Sequence, residues 1–122
     1  MAKKNIALLK RLRTRFLGMR HKQHFNMDYI AIRNERGTAM CIAGHTLDLE
    51  GYKVKFDEAD SPIWFTPSGR RMTAGGLEKA SRLLGLSYGY NGLSEGYNLF
   101  HDFSLTTPKK AAIRITELIE EG

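Results

Sequence analysis

With 122 residues, 42% of them apolar and 26% charged, the chain is sized for a single domain, 1–122, that buries roughly two thirds of its unfolded surface; this excludes a wholly disordered chain. Its apolar runs are short, and MAKKNIALLKRLRTRF has neither the apolar stretch nor the small-residue cleavage site of a secretory leader, so with one cysteine a cytoplasmic location and no membrane partner are expected. The net charge of +6 is uneven: residues 1–22 hold eight Lys or Arg and no acid, while the remainder holds eleven bases against thirteen acids, a basic N-terminal helix or arm on a near-neutral body that points to an anionic partner.

Asn5 to Met19 reads as a helix. Leu9, Leu12, Phe16 and Met19 share one face, Leu8 and Leu17 widen it, Asn5 serves as N-cap and Gly18 weakens the end. Tyr29 to Arg33 reads as a short strand or extended link, and Asn34-Glu35-Arg36-Gly37 has turn chemistry. Thr38 is the expected N-cap of a helix of about three turns that ends with Gly51 at C′. Y-K-V-K-F at 52–56 alternates like a half-buried strand. Pro62 to Thr66 is its expected partner across the polar loop 57–61, with Pro67-Ser68-Gly69 as a second turn and Arg70–Thr73 as a third short strand. Thr73 is expected to cap a helix running to Leu84, with Leu77, Ala80 and Leu84 inside and Gly85 ending it. Ser94 to His101 holds a short helix. Thr107-Pro108 opens the last one, Thr as N-cap and Pro at N1, with Ala111, Ala112, Ile115, Leu118 and Ile119 as its apolar face. The expected fold is α+β and mostly helical: about four helices with a small inserted β-hairpin.

The segment GTAMCIAGHTL, residues 37–47, raises three readings. On a helical wheel Cys41, His45 and Asp48 cluster at i, i+4 and i+7, opposite a broad side of Ala39, Met40, Ile42, Ala43, Thr46, Leu47 and Leu49. A thiol in the first turn, where the helix dipole lowers its pKa, with a histidine base and a carboxylate, has the types of cysteine-hydrolase chemistry. Three residues on one helix make a poor triad, however, and nothing supplies an oxyanion hole. A metal reading would pair His21 and His24 with Cys41 and His45, an uncommon donor set. Packing accounts for more letters: Gly37, Thr38, Ala39, Cys41, Ala43 and Gly44 are all small, and an interior glycine that costs about 1 kcal/mol against alanine is accepted where a neighbour's backbone comes close. The segment is therefore expected to be a central, tightly packed helix with His45 at its edge, and no catalytic residue, metal or cofactor is expected.

Cys41-Ile-Ala-Gly44-His45, Ala80-x-x-Leu83-Leu84-Gly85-Leu86, Leu99-Phe100 and Thr107-Pro108 before a final helix ending Ile119-Glu-Glu-Gly122 form a pattern. It resembles a loose group of small bacterial and bacteriophage proteins of unassigned function, with a GT-x-x-C-x-AGH or AGW segment, an A-x-x-LLGL segment and a following LF. The resemblance spans most of residues 25–121, Phe25-Asn-Met27 included. It implies a phage- or prophage-like source and assigns no catalytic residue. Trp often stands in that group at the position of His45, which counts against an obligatory Cys–His chemistry. The basic segment 1–22 lies outside the resemblance.

GLSYGYN at 85–91 is followed at once by GLSEGYN at 92–98, a tandem duplication. Each copy contains G-x-S-x-G, at Ser87 and Ser94, but a nucleophile elbow needs a strand before it, and Leu83-Leu84 reads helical. The Tyr, Ser, Gly and Asn content is that of a binding loop or of a glycine-rich connection whose rings cover the core. Tyr rings beside a basic surface also suit base stacking. The candidate binding residues are accordingly Lys10, Arg11, Arg13, Arg15, Arg20 and Lys22 on the basic segment, and Tyr88, Tyr90, Asn91 and Tyr97 in the repeat.

The expected function is that of a small non-enzymatic interaction protein, a candidate inhibitor of a host defence or nucleic-acid-processing complex, whose partner is a host protein or protein–nucleic-acid complex. One alternative is binding of DNA or RNA through residues 1–22, with a salt slope of about −5 if six or so of the cations meet duplex phosphates. The others are a nucleotide-binding sponge and a Cys41-dependent enzyme.

Overall fold

A computed structural model describes residues 4–19, 24–34, 37–73, 75–89 and 94–121. The order of elements is α1 (Ile6–Leu17), β1 (Ile32–Asn34), β2 (Gly37–Ala39), α2 (Ile42–Leu49), β3 (Lys53–Phe56), β4 (Pro62–Phe65), α3 (Gly76–Leu84), α4 (Glu95–Phe100) and α5 (Pro108–Glu121). The fold is α+β and mostly helical, with two antiparallel two-stranded sheets, β1–β2 and β3–β4.

Asn5 shows how the helices are joined. Its Oδ1 accepts from the Leu8 amide at 3.1 Å, which caps the start of α1. Its backbone N–H and its Nδ2 donate to the carbonyls of Leu84 (2.8 Å) and Leu83 (3.0 Å), which satisfies the orphan carbonyls at the end of α3. From that anchor α1 buries Leu8, Leu9, Leu12 and Phe16. Its main partner is α5, which buries Pro108, Ala111, Ala112, Ile115 and Leu118. Leu17, expected on the same stripe, is instead 63% exposed, because its wheel position lies beyond the stripe's edge. The basic N-terminal segment is thus, from Ile6 to Leu17, a helix built into the core.

Three expected boundaries shift. Thr38 does not cap a helix; it pairs with Arg33 in the β1–β2 ladder, and the N-cap of α2 is Cys41. The third strand at 70–73 is reduced to a single bridge of Arg71 with Phe65, supported by Met72 N–H donating to Trp64 O at 2.9 Å. The cap of α3 is Gly75 rather than Thr73. Gly85 ends α3 in the left-handed region, at φ 71°, as the sequence expects.

The placement of α2 rests on Gly44. A Cβ at this position would overlap the carbonyl oxygen of Ile30 and crowd Met40. The absent side chain lets residues 24–31 cross the helix at backbone contact. That crossing is sealed by three backbone bonds: Met40 N–H to His24 O (3.0 Å), Asn26 N–H to Met40 O (3.0 Å) and Cys41 N–H to Tyr29 O (2.9 Å). The helix itself buries every residue from Ile42 to Leu47. Gly44→Ala is expected to destabilise by about 2–3 kcal/mol through overpacking against backbone, despite alanine's better helix propensity. Urea unfolding checks this, and an unchanged or raised stability would contradict the close approach.

Candidate functional site

Cys41 stands at the N-cap of α2 with its carbonyl accepting from the His45 amide at 3.0 Å. Its thiol is buried. Burial pushes the thiol pKa up, and the nearby amides of Gly44, Ala43 and Cys41 only partly oppose this. This corrects the expectation of a thiol activated by the helix dipole: desolvation of the thiolate outweighs the dipole.

His45 is 3% exposed, inside the core rather than at the helix edge. Its Nε2 lies 2.8 Å from the His24 carbonyl oxygen. A carbonyl only accepts, so Nε2 carries the proton. Nδ1 then presents its lone pair to Arg15 Nη1, 3.4 Å away. The Phe16 ring meets the imidazole edge-on at 5.2 Å, and the Phe25 ring stacks at 6.3 Å. Desolvation lowers the imidazole pKa to about 4; the His24 carbonyl and Asp48 oppose the shift, and Arg15 adds to it. Both ring nitrogens are engaged by groups other than the thiol, Nε2 by the His24 carbonyl and Nδ1 by Arg15. Asp48 is also engaged elsewhere, in a 2.7 Å ion pair with Arg15. Among the described residues no three His, Cys, Asp or Glu side chains stand close enough to hold a metal ion, and His21 lies outside them.

The candidate cations of the basic segment divide. Arg15 bridges His45 and Asp48. Arg11 pairs with Glu50 at 3.2 Å and donates to the Leu49 carbonyl at 3.0 Å, at the C-terminus of α2. Lys4 does the same for α5: its Nζ donates to the Leu118 carbonyl (3.3 Å) and pairs with Glu95 and Glu121. Cations at helix C-termini meet the negative end of the helix dipole. Lys10 is exposed and lines the groove between α1 and α2, Arg13 is half-buried, and neither has an ion pair among the described residues. Arg20 and Lys22 lie outside the described residues.

In the repeat, Tyr90 and Asn91 lie outside the described residues. The described parts of the two copies differ: residues 85–89 of the first follow α3 without forming a helix or strand, while Ser94-Glu-Gly-Tyr-Asn98 of the second caps and begins α4. Their serines bond across copies: Ser94 Oγ accepts from Gly89 N–H at 3.0 Å, and Ser87 accepts from Gly96 N–H through its carbonyl (2.8 Å) and from Glu95 N–H through its Oγ (3.3 Å). Ser87 follows a helix and not a strand, so it is not a nucleophile elbow. Tyr88 and Tyr97 do meet, at 5.9 Å, and continue into a row of rings through His101, stacked on Tyr97 at 4.0 Å.

One cluster escaped the sequence reading. The β3–β4 register gathers Lys53, Lys55 and Arg71 about Phe65. The alternation in Y-K-V-K-F marks the two lysines as one face, but the third cation comes from beyond a turn.

Comparison with family models, curated proteins and solved structures finds no match to this chain.

The His45 environment generates a pH dependence. The unfolded imidazole titrates near 6.5 and the folded one near 4, so between these values the unfolded chain binds the extra proton. The stability His45 confers is full above pH 6.5 and is lost as pH falls to 4, by about 3 kcal/mol. Chemical unfolding at a series of pH values is expected to show this decline, and His45→Gln is expected to flatten it. An equal decline in the variant would contradict the assignment.

Proposed function

We propose that the protein is a small non-enzymatic interaction module of phage type. It acts in the bacterial cytoplasm on a host protein or protein–nucleic-acid complex, in the manner of a stoichiometric inhibitor of a host defence or nucleic-acid-processing machine. The observation that carries this reading is the state of Cys41 and His45. The nucleophile and base of the right chemical types are both spent on the core, one with a raised thiol pKa and the other held neutral between a carbonyl and a guanidinium. What remains for a partner is surface: exposed Leu17, Tyr29, Phe103 and Ile113, and a set of cations without ion pairs among the described residues. No helix among the described residues is long and apolar enough to cross a membrane.

A second reading, binding of DNA or RNA, is favoured by those same cations. On the N-terminal helix it narrows to Lys10 and Arg13 among the described residues, because Arg11 and Arg15 hold α2. A nucleotide sponge draws on the shallow groove between α1 and α2, about 450 Å³ and lined by Lys10, Arg11, Thr14, Arg15 and Leu49, which offers charge but no aromatic ring.

Affinity capture from bacterial lysate, with and without nuclease, tests the main reading. The tagged protein and its Cys41→Ala variant are expected to retain the same partner at fixed stoichiometry. Absence of any retained partner, or its loss in a folded Cys41→Ala variant, would contradict a non-enzymatic interaction role.

A further inference from the structure

The β3–β4 hairpin has two faces of different chemistry. Residues directly opposite each other in an antiparallel ladder point to the same side, and successive residues alternate. Val54, opposite Trp64, and Phe56, opposite Pro62, therefore form one face, and Val54, Phe56 and Trp64 pack into the core. Lys53, opposite Phe65, and Lys55, opposite Ile63, form the other. Residues 70–72 run along the free edge of β4, and Arg71 bridges Phe65, so Phe65 has a cation as cross-strand neighbour on each side. Lys55 Nζ is 5.5 Å from its ring centroid.

This outer face is not a packed one. Lys53, Lys55 and Arg71 are exposed. Ile63 and Phe65 are half-buried, yet neither belongs to the side chains packed on the core. Lys53, Lys55, Arg71 and the adjacent Arg70 have no ion pair among the described residues, whereas Arg11, Arg15, Arg33, Arg82 and Arg114 all do. No carboxylate stands in β3, β4 or residues 70–72. The acids of this region sit at the hairpin tip: Asp57, whose Oδ1 accepts from the amides of Ala59 and Ser61, then Glu58, and Asp60, which pairs with Arg33. The acids thus stand in the turn, while the outer face of the strands carries Lys53 and Lys55 and no carboxylate.

We infer that the outer face of β3–β4 binds single-stranded nucleic acid, with Lys53, Lys55 and Arg71 on the phosphates and the Phe65 ring stacking a base. A phenyl face stacks any unpaired base, while the bases of a duplex are already stacked inside it. Lysine is a compact, strongly hydrated point charge that suits a phosphate track without reading sequence. The Lys55 stem is flexible enough to move off the ring when a base arrives and to follow the phosphate. Lys53, Lys55 and Phe65 stand on hydrogen-bonded strands and Arg71 on a bridge to Phe65, so the platform is assembled before the ligand comes. This deepens the interaction reading above by naming the partner's chemistry, and it rests on that reading.

The test is fluorescence anisotropy of the full chain with a labelled oligothymidylate, across a salt series. Affinity is expected to fall linearly with log salt. The triple variant Lys53→Gln, Lys55→Gln, Arg71→Gln is expected to reduce that slope by about 2, from roughly 0.7 per phosphate contact on a single strand. Phe65→Ala is expected to weaken binding by about tenfold or more with little change in slope, and Phe65→Tyr, which keeps a stacking ring, to restore it. Circular dichroism confirms that each variant is folded. Four results would each overturn the inference: no binding at low salt; binding untouched by the triple variant; transfer of the loss to Lys10→Gln with Arg13→Gln, which would put the strand on α1; or equal competition by polyglutamate with no effect of Phe65→Ala, which would make the face a site for an acidic protein. Capture of a nuclease-resistant protein partner together with no oligonucleotide binding would overturn this inference while leaving the interaction reading in place.

Discussion

The rest of the structure depends on one close approach, the carbonyl of Ile30 lying where a side chain of residue 44 would be. Because the crossing is made at backbone distance, residues 24–31 bond directly to the entry of α2: His24 O takes the Met40 amide, and Tyr29 O takes that of Cys41. The same crossing brings the His24 carbonyl to Nε2 of His45 and so fixes which imidazole nitrogen is protonated. The other nitrogen then faces α1, where Arg15 meets it and continues to Asp48. The small residues of this segment, its histidine and the arginine of another helix form one chain of cause. Its chemistry is structural: a neutral imidazole with a satisfied ring is a hydrogen-bonding core residue.

The basic N-terminal segment has a corresponding explanation. Lys4 and Arg11 supply positive charge to the last carbonyls of α5 and α2, and Arg15 closes the gap between α1 and α2. Charge that reads in sequence as an arm for a distant anion is, at these positions, used on helix ends and partners inside the molecule. Among the described residues, the cations without an ion pair include Lys10 and Arg13 on α1, Lys79 on α3, Lys109 and Lys110 on α5, and Lys53, Lys55, Arg70 and Arg71 at the hairpin.

Much of this was legible in the sequence. The Leu9, Leu12, Phe16 spacing, the Asn5 cap, the Thr107-Pro108 start and the glycine after Leu84 each describe a local rule obeyed locally. The alternation at 52–56 located the first hairpin strand. What was not legible was what depends on distant contacts. The strands β1 and β2 are three residues each, too short to show a period, and Thr38 has the letter of a cap but the neighbours of a strand. Among the described residues, the second copy of the tandem heptad begins α4 while residues 85–89 of the first stay outside any helix, and the two are joined by bonds of Gly89 N–H to Ser94 Oγ and of Glu95 N–H to Ser87 Oγ, contacts that no local letter pattern shows. For the site, the i, i+4 spacing of Cys41 and His45 was correct as geometry and misleading as chemistry. Wheel positions do not show that both ring nitrogens would be claimed by His24 and Arg15.

The central claim is that Cys41 and His45 are buried in the core, with both imidazole nitrogens engaged by His24 and Arg15. Its most direct test is the ¹⁵N spectrum of the His45 imidazole across pH. A neutral ring with the proton on Nε2, unchanged down to about pH 5 and titrating at about 4, is expected. A midpoint at or above the ordinary 6.5, with the proton on Nδ1 or an imidazolium facing a Cys41 thiolate, would contradict it and return the pair to catalysis.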